Sequence, residues 1–139
     1  VLETVKKLRW VPDVIHCHGW ISSVVPFYIK HAYNEEPSFE KAKVVTSLFK
    51  EDIQELGANF KSCLPFREAT ADLLGDYPDK MAPADLQRLA VANSDAVVFV
   101  EDGIDKGVAD YVRKLGLPSI HKSDDYSKPY FELYDKLLS

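Results

Sequence analysis

Short segments rich in β-branched and apolar residues alternate along the chain with amphipathic segments, and this alternation constrains the fold more than any other feature. Segments 43–49 and 96–100 consist mainly of such residues, which is typical of strands buried on both faces of a parallel sheet. Segments 13–17 and 117–121 are two further candidate strands. Strands that alternate with helices form parallel sheets through right-handed crossovers. The pattern predicts a three-layer, Rossmann-like α/β fold with about four parallel strands and helices on both faces.

The helices are predicted from apolar residues that recur at intervals of three and four positions. The helix after the first strand should begin beyond Trp20, with Ser22 or Ser23 as its N-cap. This start puts Pro26 in the first turn, where the missing N–H costs nothing. Four other helices or helical turns are predicted before the third strand, over residues 1–8, 51–56, 66–74 and 83–92.

Two helices are predicted after the third strand. Glu101 and Asp102 favour the start of the first, because carboxylates are stabilised at the N-terminus of a helix. Gly116 is expected to end it in the left-handed conformation. The last helix should follow Asp124 or Asp125 as its cap. Its apolar side is predicted to consist of Tyr130, Phe131, Tyr134, Leu137 and Leu138.

Length and composition limit the kinds of protein that this chain can be. Its 139 residues suit one domain, and a net charge of −5 argues against a nucleic-acid or anionic-membrane surface. No apolar run approaches the about 20 residues that cross a bilayer. Cys17 and Cys63 are too few and too far apart for a disulfide framework, so we expect a reducing compartment, the cytoplasm. The first helical pattern lacks a cap, from which we expect a fragment of a longer chain.

His16 and His18 mark the first candidate site, because side chains two residues apart on a strand share one face. Two imidazoles on one face can hold a divalent cation, so one hypothesis is a metal-dependent hydrolase. No further ligands are spaced to complete such a site, and the alternative is that the histidines are structural. Cys17 faces the opposite side and is predicted to be buried and unreactive. Neither glycine-rich nucleotide motif occurs, and we expect no cofactor.

Residues 12–20, Pro-Asp-Val-Ile-His-Cys-His-Gly-Trp, and residues 25–30, Val-Pro-Phe-Tyr-Ile-Lys, resemble the N-terminal domain of bacterial glycogen synthases and plant starch synthases. The similarity continues more loosely through residues 42–45 and 86–112. The resemblance implies a glycosyltransferase of the GT-B type, in which two Rossmann-like domains line a cleft. Such enzymes transfer glucose from ADP-glucose to the non-reducing end of an α-1,4-glucan, so ADP-glucose and α-glucan are the implied partners. The implied cleft residues are His16, His18 and Trp20.

The sequence departs from the family pattern at several site positions. The pattern has His-x-His-Asp-Trp-His, and its aspartate and last histidine are replaced here by Gly19 and Ile21. After the second strand, a His-Asn pair is replaced by Phe49 and Lys50; in the family that histidine contacts the transferred sugar. Glycosyl transfer needs polar groups at the sugar and at the leaving diphosphate, so we expect no turnover of ADP-glucose by this chain alone.

Two features of the family fall outside the sequence, namely the Lys-Thr-Gly-Gly-Leu loop at the donor phosphates and the nucleotide-binding C-terminal domain. One alternative therefore stays open beside the transferase. It is a module derived from a synthase that has lost catalysis and binds glucan or a partner protein. In that module Trp20 would be either a sugar-stacking platform or a side chain that fills the core.

Overall fold

Four parallel strands, in the order β1-β2-β3-β4, form the central sheet of the computed structural model. The structure describes residues 1–52, 56–121, 125 and 127–139. The strands are β1 (Val14–His18), β2 (Lys43–Leu48), β3 (Ala96–Phe99) and β4 (Ser119–His121). The helices are α1 (Leu2–Lys7), α2 (Val25–His31), α3 (Phe60–Cys63), α4 (Pro83–Ala92), α5 (Lys106–Leu115) and α6 (Ser127–Leu138). The predicted α/β fold with about four parallel strands is confirmed.

The strand order determines where the helices lie. Each strand pairs with the next one in the sequence, so right-handed crossovers bring the connecting helices to the same face. On this connecting-helix face, Val44 packs with Phe27 of α2 and Leu86 of α4. A second cluster on the same face contains Val97 of β3 and Val108 of α5. The layer on this side of the sheet is therefore built from α2, α4 and α5.

The opposite face, which we call the α6 face, is covered by the last helix. Leu133 of α6 packs against Val45, Ala96 and Val98. The predicted layers on both sides of the sheet are thus present. Val44 and Val45 are both fully buried, as are Val97 and Val98, which confirms that β2 and β3 are covered on both faces. Full burial of one such side chain stabilises the fold by about 1.5–3 kcal/mol.

Asp95 joins three elements at the amino ends of the strands. Its backbone N–H donates to the carbonyl oxygen of Val44 at 2.7 Å. Its carboxylate accepts a hydrogen bond from the Val44 N–H at 2.8 Å and another from the Lys30 ammonium at 3.1 Å. The residue before β3 therefore fixes both the start of β2 and the end of α2.

The start of α5 differs from the prediction. The helix begins at Lys106 rather than at Glu101, and Asp105 is its N-cap, with its carboxylate accepting from the Val108 N–H at 3.1 Å. Glu101 instead accepts a hydrogen bond from the backbone N–H of Lys50. The predicted end is confirmed, because Gly116 has φ 67° and ψ 27° and caps the helix in the left-handed conformation.

The chain enters α2 through a 3-10 turn, Ile21–Val24, which the prediction missed. The predicted serine N-cap is wrong. The Ser22 hydroxyl donates to the carbonyl oxygens of His18 at 2.6 Å and Gly19 at 2.9 Å, instead of accepting from a helix N–H. Pro26 lies in the first turn of α2, as predicted.

Segment 66–74 is not the predicted helix. Phe66 and Ala69 exchange two backbone hydrogen bonds around Arg67, which has a φ of 50°, and a 3-10 turn covers Ala71–Leu74. Arg67 in the left-handed region interrupts the helical path. The turn predicted over 51–56 falls partly on residues 53–55, which lie outside the described residues.

The predicted apolar side of α6 is partly wrong. Leu133 is its buried residue, whereas Phe131 is 72% exposed and Leu138 is 51% exposed. Of the two predicted caps, Asp124 lies outside the described residues. Asp125 accepts hydrogen bonds from the N–H and hydroxyl of Ser127. None of the helices described is long and apolar enough to cross a membrane.

Candidate functional site

The candidate site lies at the carboxyl edge of the sheet. Because the strands are parallel, His18 at the end of β1, Phe49 and Lys50 after β2, and Glu101 after β3 all lie along this edge. Ligands of open α/β sheets bind in crevices outside the carboxyl ends of the strands. The carboxyl edge of the sheet is therefore the expected location of a binding site.

His16 lies on the α6 face, one step inside the edge. Its Nε2 is 2.7 Å from the Ser47 hydroxyl, and its Nδ1 forms a hydrogen bond with the Tyr134 hydroxyl. Burial of the ring, with a smaller effect of the neighbouring His18, lowers the pKa of His16 from 6.5 to about 4. The imidazole is therefore neutral near pH 7, and both of its nitrogens are already engaged by hydroxyl groups of the protein.

His18 is exposed and lies directly against His16. The two rings are stacked, with centroids 4.1 Å apart and planes inclined by 24°. The half-buried ring of Phe49 lies beside His18, at a centroid distance of 6.5 Å. We call His18 and Phe49 the edge pair. Two rings of α6 extend the aromatic surface beneath it, because Tyr130 and Tyr134 lie 5.5 and 5.9 Å from the His16 centroid.

Two hydrogen bonds hold the segment that follows β2. The Gln87 side-chain amide donates to the carbonyl oxygen of Phe49 at 2.8 Å, and the Lys50 N–H donates to the Glu101 carboxylate. The aliphatic part of the Lys50 side chain lies against Gly103, where an added Cβ would be 3.3 Å from Cδ. A cleft of about 290 Å³ adjoins this segment and is lined in part by Phe49 and Lys50. The position of Phe49 at the edge is therefore set by α4 and by the loop after β3.

Trp20 is not part of the edge pair. Its partly buried side chain packs against the core cluster that contains Phe27, on the connecting-helix side. Gly19 turns the chain out of β1 with a φ of 82°, in the region that favours glycine. Ile21 is 70% exposed. The structure thus brings His16, His18 and Phe49 together and places Trp20 against the core.

Cys17 points to the connecting-helix face, where it is buried, as predicted. Burial raises the pKa of the Cys17 thiol to about 11. Such a thiol is almost entirely protonated near pH 7, and the thiolate is the reactive form.

The described residues do not support the hypothesis of a metal-dependent hydrolase. Over the described residues there is no group of three or more His, Cys, Asp or Glu that could hold a metal ion. His31 lies 2.9 Å from the side-chain oxygen of Asn93, and His121 stacks on Phe99 with centroids 4.6 Å apart. Because both nitrogens of His16 are engaged, the His16–His18 pair does not offer two free ligands.

Sequence reasoning missed three contacts of the site. Ser47 lies opposite His18 in the strand register, and its hydroxyl contacts His16. A serine inside an otherwise apolar strand was the signal that could have indicated a polar partner for His16. Tyr134 was predicted only as an apolar residue of the last helix. The role of Gln87 as a donor to the Phe49 carbonyl oxygen had no signal in the local sequence.

The sequence also matches known proteins. The family model of the starch synthase catalytic domain matches residues 1–119. A glycogen synthase of Pelodictyon phaeoclathratiforme is 26% identical over 114 residues, which cover 80% of this chain and 23% of the relative. Glycogen synthases of Clostridium perfringens and Chlorobium luteolum are each 42% identical over 48 residues, covering 34% of this chain and 10% of each relative. No solved structure matches the chain significantly.

The chain spans between 10% and 23% of the length of these relatives. The match of the family model nevertheless covers β1, β2, β3 and the carboxyl edge at which the edge pair lies. This agrees with the resemblance of residues 12–20 and 25–30. The chain belongs to the starch synthase catalytic domain family.

Proposed function

We propose that this chain forms one wall of a glycosyl-transfer cleft, and that the edge pair of His18 and Phe49 contacts the sugar. The cleft would serve ADP-glucose as donor and an α-1,4-glucan as acceptor. The observation that carries the proposal is the position of the edge pair. His18 comes from the His-x-His motif of β1, and Phe49 follows β2, where the family has its sugar-contacting histidine.

The chemistry of the edge suits binding of a pyranose ring. A sugar has an apolar face of C–H groups, which packs well on an aromatic ring, and a rim of hydroxyls, which need polar partners. Phe49 offers the ring, whereas His18 offers an exposed imidazole. Lys50, also exposed, adds a cation near the same edge. Trp20 and His16 would then support this wall from behind, rather than touch the sugar themselves.

Binding does not imply turnover. Departure of a nucleoside diphosphate needs donors aimed at the developing negative charge, and loss of one such donor costs about 10²–10³ in rate. Phe49 has no hydrogen-bonding group where the family has a histidine. We therefore propose that the chain alone binds and orients carbohydrate without catalysing transfer. The free thiols of Cys17 and Cys63 favour the cytoplasm as its compartment.

Binding can be tested by NMR titration of the 139-residue chain with maltoheptaose and, separately, with ADP-glucose. We expect maltoheptaose to shift the ring signals of His18 and Phe49. Phe49→Ala should weaken binding about five- to tenfold, since an aromatic contact of this kind contributes about 1 kcal/mol. Phe131→Ala is the matched control, because Phe131 is a 72% exposed phenylalanine on α6 that lies outside the edge pair.

The titration separates the hypotheses. Equal losses in both phenylalanine variants would contradict a sugar site at the edge pair. If neither ligand shifts any signal of the edge, the protein-binding module becomes the better explanation. Incubation with labelled ADP-glucose and a glucan primer tests catalysis independently. We expect no incorporation by this chain, and sustained incorporation would show that Phe49 is compensated by another group.

A further inference from the structure

The last helix lies outside the part of the chain that matches the family, yet it contacts a family motif. The match of the family model ends at residue 119, and α6 begins at Ser127. Nevertheless Leu133 of α6 packs against Val45, Ala96 and Val98 at the centre of the sheet. The helix is therefore an integral layer of the fold, and it reaches the site from outside the matched segment.

Tyr134 is the point at which α6 reaches the site. Its hydroxyl forms a hydrogen bond with Nδ1 of His16, while its ring meets the imidazole edge to face, at 5.9 Å and 88°. The other nitrogen, Nε2, is 2.7 Å from the Ser47 hydroxyl. A neutral imidazole has one donor and one acceptor, and a hydroxyl can be either. One hydroxyl from α6 and one from β2 therefore satisfy the whole hydrogen-bonding capacity of His16.

The orientation of His16 matters because His18 rests on it. The ring centroids of His16 and His18 are 4.1 Å apart in a stacked arrangement, and the His18 side chain is exposed to solvent. If the plane of His16 were free to rotate, the support for His18 would rotate with it. A ring held by two hydrogen bonds and by an aromatic edge offers a fixed surface instead.

We propose that Tyr134 is a positioning residue, which holds His16 in one ring plane and thereby sets the orientation of His18 for contact with a glucan sugar. The inference rests on the proposed function for its last step, the contact with glucan. The contact of Tyr134 with His16 and the stacking of His16 on His18 do not depend on glucan. Tyr134 does not touch the sugar in this arrangement; it acts through His16.

Tyr134→Phe removes the hydroxyl and keeps the ring, so it separates the hydrogen bond from packing. We expect the ¹⁵N signal of His16 Nδ1 to shift, because this nitrogen loses its partner, and the NOEs between the rings of His16 and His18 to weaken. We also expect the affinity for maltoheptaose to fall about three- to tenfold, which is the size expected from loss of one hydrogen bond. Tyr111→Phe is the matched control, because Tyr111 of α5 packs on the connecting-helix face. It should change none of these readouts.

A second variant tests the same inference independently, in case Tyr134→Phe does not fold. Ser47→Ala removes the partner of Nε2 and should likewise weaken the NOEs between the rings of His16 and His18. Unchanged NOEs between the two rings in both variants would overturn the inference, as would weakened NOEs with unaltered glucan affinity. If the unmodified chain binds no maltoheptaose, the proposed function fails, and the positioning of His16 and His18 is then judged by the imidazole signals alone.

Discussion

Asp95 and Val44 exchange two hydrogen bonds across the amino ends of β3 and β2. The Asp95 N–H donates to the Val44 carbonyl oxygen, and the Val44 N–H donates to the Asp95 carboxylate. The same carboxylate oxygen also accepts from Lys30 of α2. The Asp95 side chain therefore takes the place of a backbone acceptor at the amino ends of β2 and β3, and it connects this end of the sheet to α2.

Asp95→Ala should destabilise the fold by about 2–3 kcal/mol, because it leaves the Val44 N–H without its partner and removes an ion pair. Asp95→Asn keeps a carbonyl oxygen for Val44 and should cost less. Asp110→Ala is the control: it removes an exposed pair with Arg113 and should change the free energy of unfolding by less than about 0.5 kcal/mol. Urea unfolding measures all three, and equal losses for Asp95 and Asp110 would refute the role of Asp95.

The pKa of His16 predicts how stability depends on pH. In the unfolded chain the imidazole takes up a proton as the pH falls through 6.5, whereas in the folded chain burial lowers the pKa to about 4. Between these values the unfolded state binds more protons, so stability falls as the pH falls through this window. Below about pH 4 this contribution changes no further. Because the ring is only partly buried, we expect a loss of about 1–2 kcal/mol.

The measurement for His16 is the free energy of unfolding in urea at pH values across this window. Carboxyl groups also begin to titrate at its lower end, so the unmodified chain must be compared with His16→Gln. Glutamine keeps one donor and one acceptor but does not titrate. The variant should show a flatter dependence on pH. Parallel curves for the two proteins would assign the pH dependence to other groups.

The two thiols should react at very different rates. Cys63 is exposed, whereas Cys17 is buried and its thiol has a pKa of about 11. At about pH 8 a thiol reagent should label Cys63 rapidly and Cys17 only after unfolding, since the thiolate is the nucleophile. Cys63→Ser should abolish the rapid phase. A rapid phase that survives in this variant would show that β1 opens readily.

Much of the architecture could be predicted, because its causes are local in the sequence. The apolar runs of β2 and β3 carry the signal for burial on both faces, and both strands occur within one residue of their predicted bounds. Gly116 ends α5 for the same kind of reason, since a left-handed cap favours glycine at one position. Such signals do not depend on distant parts of the chain.

The errors arise where an alternative partner was available. Glu101 was assigned to a helix start, but a backbone N–H of the neighbouring strand end binds its carboxylate, and Asp105 caps α5 instead. The Ser22 hydroxyl donates to carbonyl oxygens of the preceding turn. Helix-capping preferences alone do not predict this choice of partner. Propensity describes what a residue can do, whereas tertiary contacts decide which option is used.

The candidate site was predictable only in part. The ends of β1 and β2 could be placed at one edge from the alternation of strands and helices, which brings His18 near Phe49. The bond between His16 and Tyr134 joins residues separated by 118 positions. No periodicity within either segment indicates such a contact, because it depends on where α6 crosses the sheet.

The sequential order of the strands implies an order of maturation during synthesis. Each strand can pair with its predecessor soon after it leaves the ribosome, because the pairs β1-β2, β2-β3 and β3-β4 are successive along the chain. The exception is α6, whose Leu133 covers Val45 and Val98. Until that helix emerges, the sheet presents a bare apolar surface. A polypeptide without α6 would therefore expose Val45, Ala96 and Val98 to solvent, and we expect it to aggregate more readily than the complete fold.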